Sequence, residues 1–379
     1  MSAGEALRAQ APVGGGPARL EPARPGYMRV GRSAAVEVCR WTRSALLGGP
    51  MCYKRWYGVS SHRCIQMTPN APLCNFRCQF CWRPHGARGG PASWDGPEEV
   101  VEGAIRAQRA LLIGYKGNPS ADGGRLLEAM FPRHMAISLE GEPTIYPWLR
   151  ELVAAARRRG ITAFLVTNGS VPARLRELRA VPPHNLYLSV YGPSREVMER
   201  AARPLFTGAW ERVMESVSMM GDFERAGSNT IMRLTLVRGL NMVDPDGYAR
   251  IVRSGDPMFV ELKGYTWVGE STRRLPIDAM PSLEEMEAFA SELEARTGYR
   301  VAEVDRRSRV VMLARDPGAL ELARERAARI RARIEELDAQ WRRRYSDPAD
   351  FRPTRGGTPP WPGGWIRAGR PSRSAPPAT

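Results

Sequence analysis

The chain has 379 residues, 43% of them hydrophobic, with a formal net charge of +16. That is enough for one large domain or two ordinary ones with a sizeable core, and no run is apolar enough for a membrane span or a secretory leader, so a cytoplasmic protein is expected. Residues 1–33 and 345–379 each carry +3, which leaves +10 on the middle of the chain and points to a polyanionic partner, most simply nucleic acid, unless a general preference for arginine explains it.

Of 56 basic residues only Lys54, Lys116 and Lys263 are lysine. Arginine stays protonated, whereas a desolvated lysine can shed its proton and attack a carbonyl, so a lysine that survives such a bias is a candidate nucleophile.

In chain order, residues 1–33 are Ala/Gly/Pro/Arg-rich without periodicity and are expected to be a disordered tail. All six cysteines then fall between Cys39 and Cys81, as a loose trio (Cys39, Cys52, Cys64) followed by a tight one (Cys74, Cys78, Cys81) in "CNFRCQFCW". Such clustering in an intracellular chain reads as metal ligation rather than as a disulfide framework. Structural zinc needs four ligands, and of the four histidines only His62 and His85 lie near enough in sequence to complete a site. Iron–sulfur clusters take thiolates, normally four. Three cysteines leave one metal corner open, the mark of a site that binds something else.

Beyond the cysteines the pattern alternates. "CIQMTP" (64–69), "HMAISLEGEP" (134–143), "ITAFLVTNGS" (161–170), "NLYLSVYGPS" (185–194), "TIMRLTLVRG" (230–239) and "MFVELKGYT" (258–266) are short apolar runs ending in Gly or polar residues. Amphipathic stretches such as 148–160 and 210–227 separate them. Strand–helix alternation with nearly continuous apolar strands predicts a buried parallel sheet, here an α/β partial (β/α)6 TIM-like barrel over 34–315, whose chemistry sits at the C-terminal strand ends. That rule nominates Glu140, Gly141, Glu142 and Pro143 after the second strand, and Thr167 and Asn168 after the third. It also nominates Ser189 and Tyr191 after the fourth, Arg238 and Asn241 after the fifth, and Lys263 on the sixth. Residues 299–314 predict an added hairpin. Residues 316–350 contain a long helix from 317 to 345, with Ile330, Ile334, Leu337 and Trp341 as an apolar stripe against the barrel. Residues 351–379 are a Pro/Gly/Arg tail, again expected to be disordered.

The tight trio with its adjoining aromatic resembles the signature of radical S-adenosylmethionine enzymes. The longer order C-x12-C-Y-K, Y-G-x-x-S-H-R-C, T-P and C-x3-C-x2-C-W-R, with "LEGEPTIYP", "LVTNGS", "RLTLVRGLNM", "ELKGYTWVG" and "SRVVML", resembles the archaeal 4-demethylwyosine synthases across residues 36–315. That resemblance implies a radical carbon–carbon lyase that condenses N1-methylguanosine, 3′ of the anticodon in tRNA-Phe, with pyruvate to close a tricyclic base. It implies a cofactor-cleaving [4Fe–4S] cluster on Cys74, Cys78 and Cys81, and a second, auxiliary [4Fe–4S] cluster on Cys39, Cys52 and Cys64 of an N-terminal segment (34–66). S-adenosylmethionine is expected near Glu140, Gly141, Glu142, Thr167, Asn168, Ser189 and Arg238. Lys54 matches a lysine proposed to form a Schiff base with pyruvate, and the resemblance leaves the open iron of the auxiliary cluster as the alternative place that activates it. Eukaryotic relatives carry a flavodoxin-like domain ahead of the barrel; the 38 residues before Cys39 are too few for one, so a separate ferredoxin- or flavodoxin-type donor is expected, with a monomeric enzyme. The competing readings are a radical enzyme with another substrate, against which the loose trio with "CYK" argues, and a zinc-stabilised RNA-binding module.

Overall fold

The computed structural model describes residues 17–85, 91 and 93–344, and of 341–344 only the backbone. The chain enters through three short strands, β1 (Leu20–Arg24), β2 (Tyr27–Val30) and β3 (Ala34–Glu37), and helix α1 (Arg40–Leu46). Strand β4 (Cys64–Thr68) opens the parallel core, and α2 (Pro97–Leu112) and α3 (Gly123–Ala129) lead to β5 (His134–Ile137). Next come α4 (Leu149–Arg158), β6 (Thr162–Thr167), α5 (Pro172–Leu178) and β7 (Asn185–Val190). Helices α6 (Arg195–Ala202), α7 (Ala209–Ser218) and α8 (Met220–Arg225) precede β8 (Asn229–Leu236), and α9 (Pro245–Gly255) precedes β9 (Phe259–Gly264). Helix α10 (Leu283–Thr297), strands β10 (Arg300–Asp305) and β11 (Val310–Ala314), and helix α11 (Pro317–Arg344) complete the described chain.

The described strands form one sheet in the order β1-β2-β3-β4-β5-β6-β7-β8-β9-β11-β10. The six expected runs are β4 to β9, all parallel. Antiparallel strands flank them on both sides, and among the described residues β1 and β10 are the two edge strands of the sheet, so the barrel stays open. Side chains alternate across each strand. Ala163, Leu165, Leu186, Leu188, Met232, Leu234, Val260 and Leu262 face outward into the helices. Phe164, Tyr187, Ile231 and Phe259 face the lumen and pack there with Tyr57 and Val59. Each such fully buried aliphatic or aromatic side chain is worth about 1.5–3 kcal/mol, which makes this alternation the main determinant of register.

Two expectations change. The disordered tail over 1–33 is corrected: residues 20–30 are β1 and β2, because Tyr27, Met28 and Val30 are buried while Arg29 between them faces out. A four-residue alternation was hidden in Ala/Gly/Pro composition; residues 1–16 and the tail 351–379 lie outside the described residues. The amphipathic stretch 210–227 is two helices, α7 and α8, meeting at Met219. In the first part of α11 the buried face is Ala319, Ala323 and Ala327. Gly58, at φ 80°, shows why: a Cβ there would come within 3.0 Å of the Ala327 Cβ, so only small residues fit on either side. Contacts divide the chain after Ile330 into two compact units, and Ile334 and Leu337 belong to the second; the side chain of Trp341 lies outside the described residues.

Candidate active site

The loop after β4 carries the tight trio. Its backbone is tied down along its length: Arg77 N–H donates to the Ala202 carbonyl at 2.9 Å, Gln79 N–H to Ala201 at 2.9 Å, and the Arg274 guanidinium donates to the carbonyls of Gln79 and Cys81. The rings of Phe76 and Phe80 pack on Tyr191, 6.3 and 5.1 Å between centroids. This apolar seat buries the thiols. Burial pushes Cys74 up to about 12 and raises Cys78 and Cys81, with Cys74 and Cys81 each adding to the rise at Cys78. Thiols held this way ionise only for a strong electrophile such as iron.

Beside the trio, "LEGEP" and "TNGS" form one cage around Glu142, which is 2% exposed. Its Oε1 accepts from the Thr144 backbone at 3.0 Å and from the hydroxyls of Thr144 and Thr167 at 2.6 Å each; its Oε2 accepts from the Asn168 N–H at 2.8 Å. Burial raises its pKa against those donors. Gly141, at φ 72°, lies so close to the cysteine loop that a Cβ would sit 2.5 Å from the Leu73 carbonyl oxygen. The Glu142 N–H donates to that same oxygen at 2.9 Å. Asn168 reaches across to Asn75, 3.1 Å away, next to Cys74. The structure therefore gathers Glu140, Gly141, Glu142, Thr167 and Asn168 around the tight trio, with Glu142 spent on its own cage. Glu140 is partly exposed and accepts from the Tyr27 hydroxyl. Ser189 is buried on the lumen face of β7. Arg238 is elsewhere: its guanidinium pairs with Glu285, in the first turn of α10, and donates to the Asp278 carbonyl. Asn241 is consumed by the carbonyls of Tyr191 and Thr235 and the Val237 N–H.

The loose trio comes together too. Cys39 precedes α1, Cys52 precedes a 3-10 turn over Tyr53–Tyr57, and Cys64 opens β4. Ser61 fixes them, accepting from the Cys52 N–H at 2.8 Å and, through its carbonyl, from the Thr42 hydroxyl at 2.9 Å. The three thiols and Lys54 line one cavity that is open to solvent, with Gln66, Ala136 and Ser138 as its wall. Burial pushes Cys52 up to about 11 and Cys64 up to about 12. Among the described residues no three His, Cys, Asp or Glu side chains close around a single ion. A tetrahedral zinc holds sulfur at about 2.3 Å; a multi-iron cluster spreads its thiolates wider, and an all-thiol donor set suits it. Both trios fit that group.

Sequence reasoning missed a polar network on the lumen wall. The Lys54 Nζ lies 5.2 Å from the Tyr187 ring centroid and 5.8 Å from that of Phe164. Tyr53, on the same turn, accepts from Arg233 of β8 at 2.7 Å; Tyr57 donates to Glu261 of β9 at 2.9 Å. Lys263, two residues on, donates to the Ser308 carbonyl, and burial with Arg233, Arg309 and Arg40 nearby lowers its pKa to about 7. The available signal was a charge inside an apolar strand, in "IMRLTL" and "FVELKG".

Comparison with known proteins agrees with this geometry. The radical SAM superfamily model matches residues 71–251 and the wyosine base formation model residues 254–315. The S-adenosyl-L-methionine-dependent tRNA 4-demethylwyosine synthases of Pyrococcus abyssi and Pyrococcus horikoshii are 44% and 43% identical over 297 residues, 76% of this chain and 86% of theirs. A solved structure of TYW1 with a lysine–pyruvate adduct bound is similar with a TM-score of 0.69 at 31% identity, covering 76% of this chain and 92% of that one. An archaeal TYW1 crystal structure gives a TM-score of 0.63 at 27% identity, over 76% and 91%. The family implies S-adenosylmethionine and a [4Fe–4S] cluster. With an open α/β barrel, a thiol trio at the end of its first parallel strand and these relatives, the chain is a radical S-adenosylmethionine enzyme and belongs to the tRNA 4-demethylwyosine synthase family.

Proposed function

We propose that the chain condenses N1-methylguanosine, 3′ of the anticodon of tRNA-Phe, with pyruvate to form 4-demethylwyosine, and that Lys54 is the residue that binds pyruvate covalently. The observation that carries the reading is Lys54 on the wall of the cavity that Cys39, Cys52 and Cys64 line. The lysine–pyruvate adduct in a similar TYW1 structure supports it.

Cys74, Cys78 and Cys81 hold the cofactor-cleaving cluster, and Cys39, Cys52 and Cys64 the auxiliary one. With S-adenosylmethionine, the first supplies the one-electron chemistry that takes hydrogen from an N-methyl group. This chain's residues do the rest of the positioning. Gly141 and Asn168 set the cysteine loop against its neighbours, and Glu140, Thr167 and Ser189 line the cofactor's side. The aromatic faces of Tyr187 and Phe164 hold the cationic head of Lys54 in place. Its amine bonds to the ketone carbon, and the ketone oxygen leaves as water. The target base leaves the anticodon-loop stack to reach the lumen, which a single-stranded loop permits at low cost. Arginines bind the phosphates, so affinity falls with salt. Among the described residues no helix is long and apolar enough to cross a membrane; a cytoplasmic monomer served by an external ferredoxin- or flavodoxin-type donor completes the reading.

The test is anaerobic. Reconstituted protein is mixed with dithionite, S-adenosylmethionine, pyruvate and tRNA bearing N1-methylguanosine, and the digested nucleosides go to mass spectrometry. A tricyclic base heavier by two pyruvate carbons is expected. Cofactor cleavage with no change in the base overturns the substrate.

A further inference from the structure

Arg233 and Glu261 are register partners on the neighbouring strands β8 and β9, and both side chains share the lumen face with Tyr187. A half-buried arginine such as Arg233 beside a buried carboxylate ordinarily forms an ion pair, since each otherwise loses hydration uncompensated. Here no ion pair joins them. Each is held instead by a tyrosine from the turn that carries Lys54: Arg233 Nη2 donates to the Tyr53 hydroxyl at 2.7 Å, and Glu261 Oε1 accepts from the Tyr57 hydroxyl at 2.9 Å. Two polar atoms beside them are buried without a well-formed hydrogen bond, Glu261 Oε2 and the Tyr187 hydroxyl, and the hydroxyl is near enough to Glu261 to work against the rise in its pKa. Arg233 Cζ and Lys54 Nζ border the same ring, 5.9 and 5.2 Å from the Tyr187 centroid. The wall thus keeps a guanidinium and a carboxylate oxygen apart, neither spent on the other, next to the one lysine of the thiol-lined cavity.

An open guanidinium suits a carboxylate, which it grips with paired N–H donors. An open carboxylate oxygen suits a cation. A 2-oxo acid bound to a lysine amine presents both. We propose that Arg233 and Glu261 form the keto-acid subsite: Arg233 receives the carboxylate of the substrate, and Glu261 faces the nitrogen of the Lys54 adduct. The inference rests on the Lys54 reading above. In the step, Glu261 takes one proton from the Lys54 ammonium, the freed nitrogen bonds to the ketone carbon, and the C–O bond breaks. The departing oxygen takes a second proton from that nitrogen and the first back from Glu261 and leaves as water, and the nitrogen, with one hydrogen left, carries the positive charge as an iminium. Tyr53 and Tyr57 are positioning residues: they lock the lysine's turn to the two strands that read the substrate.

The experiment traps the adduct on the anaerobically reconstituted full chain with cyanoborohydride, using pyruvate or, in parallel, acetaldehyde, which has the carbonyl without the carboxylate. Peptide mass spectrometry reads the label at Lys54. Wild-type protein is expected to label with pyruvate at far lower concentration than with acetaldehyde. Arg233→Met is expected to raise the pyruvate concentration required by about tenfold or more, the worth of a charged hydrogen-bonded pair, and to leave acetaldehyde labelling unchanged. Glu261→Gln is expected to slow labelling by both. If Arg233→Met does not fold, Tyr53→Phe keeps the charge but frees the guanidinium, and the preference for pyruvate should fall by a smaller factor. A preference unchanged in the Arg233 variant, or in Tyr53→Phe where that variant stands in for it, overturns the subsite alone. No label on wild-type Lys54 overturns the Lys54 reading and this one with it.

Discussion

Two buried carboxylates, Glu142 beside the cysteine loop and Glu261 in the lumen, have the same burial and opposite fates. They are 2% and 0% exposed, and burial raises the pKa of both. Glu142 accepts at both oxygens from Thr144, Thr167 and Asn168, all close to it in the strand-end loops. Glu261 accepts a well-formed bond at one oxygen, from a tyrosine 204 positions away, and its other oxygen has only the Tyr187 hydroxyl nearby, without a well-formed bond. A saturated carboxylate is a strut, because every lone pair already repays its burial. A half-saturated one beside a lysine and an arginine is poised for a ligand. Burial alone does not separate structural from chemical acids; the account of each oxygen does.

The largest effects separate the two regions by what they do. Cys78→Ala should abolish both 5′-deoxyadenosine release and base formation, whereas Lys54→Arg should abolish base formation and leave 5′-deoxyadenosine release, both read by liquid chromatography. Cleavage lost in both variants would merge the regions into one. Next in size is stability. Glu142→Gln replaces an acceptor oxygen with a donor amide inside a saturated cage and should cost about 2–4 kcal/mol. Glu261→Gln, which meets an unfilled acceptor site, should cost under about 1 kcal/mol. Chemical denaturation compares them, and equal losses would erase the contrast. Gly141→Ala strains a left-handed backbone against the Leu73 carbonyl and should cost about 1–3 kcal/mol, seen as a lower Tm.

The smallest effect tests a site in neither region. His184 accepts from the Ala163 N–H at 3.1 Å, and burial lowers its pKa to about 4. Between about 4 and the ordinary 6.5 the unfolded chain binds a proton that the folded chain does not. Stability therefore falls as pH drops through that window, by about 2 kcal/mol or less. His184→Asn, which keeps an acceptor, should flatten that part of the acid limb in urea titrations.

Much of this was legible beforehand. The strands were readable because each is a continuous apolar run, and burial on both faces of a parallel sheet demands that. The tight trio was readable because its spacing is local. Lys54 stood out because 53 other cations are arginine. The N-terminal strands were not readable: β2 shows one four-residue alternation, and its burial depends on β3 and α2, which lie further along the chain. Nor could "LEGEP" say which glutamate was spent, since both precede a turn and only the arrival of Thr167 and Asn168 decides it.

The sequence by itself determined the order of the six parallel strands, the two thiol trios and the candidate nucleophile, because each is a pattern of near neighbours that local geometry enforces. Tertiary structure alone decided that Arg238 is tied to Glu285 across 47 positions. It alone brought Arg233 and Glu261 to Lys54's turn across 180 and 204 positions. Those pairings come from strand register and from the closing curve of the sheet, and a linear pattern carries neither.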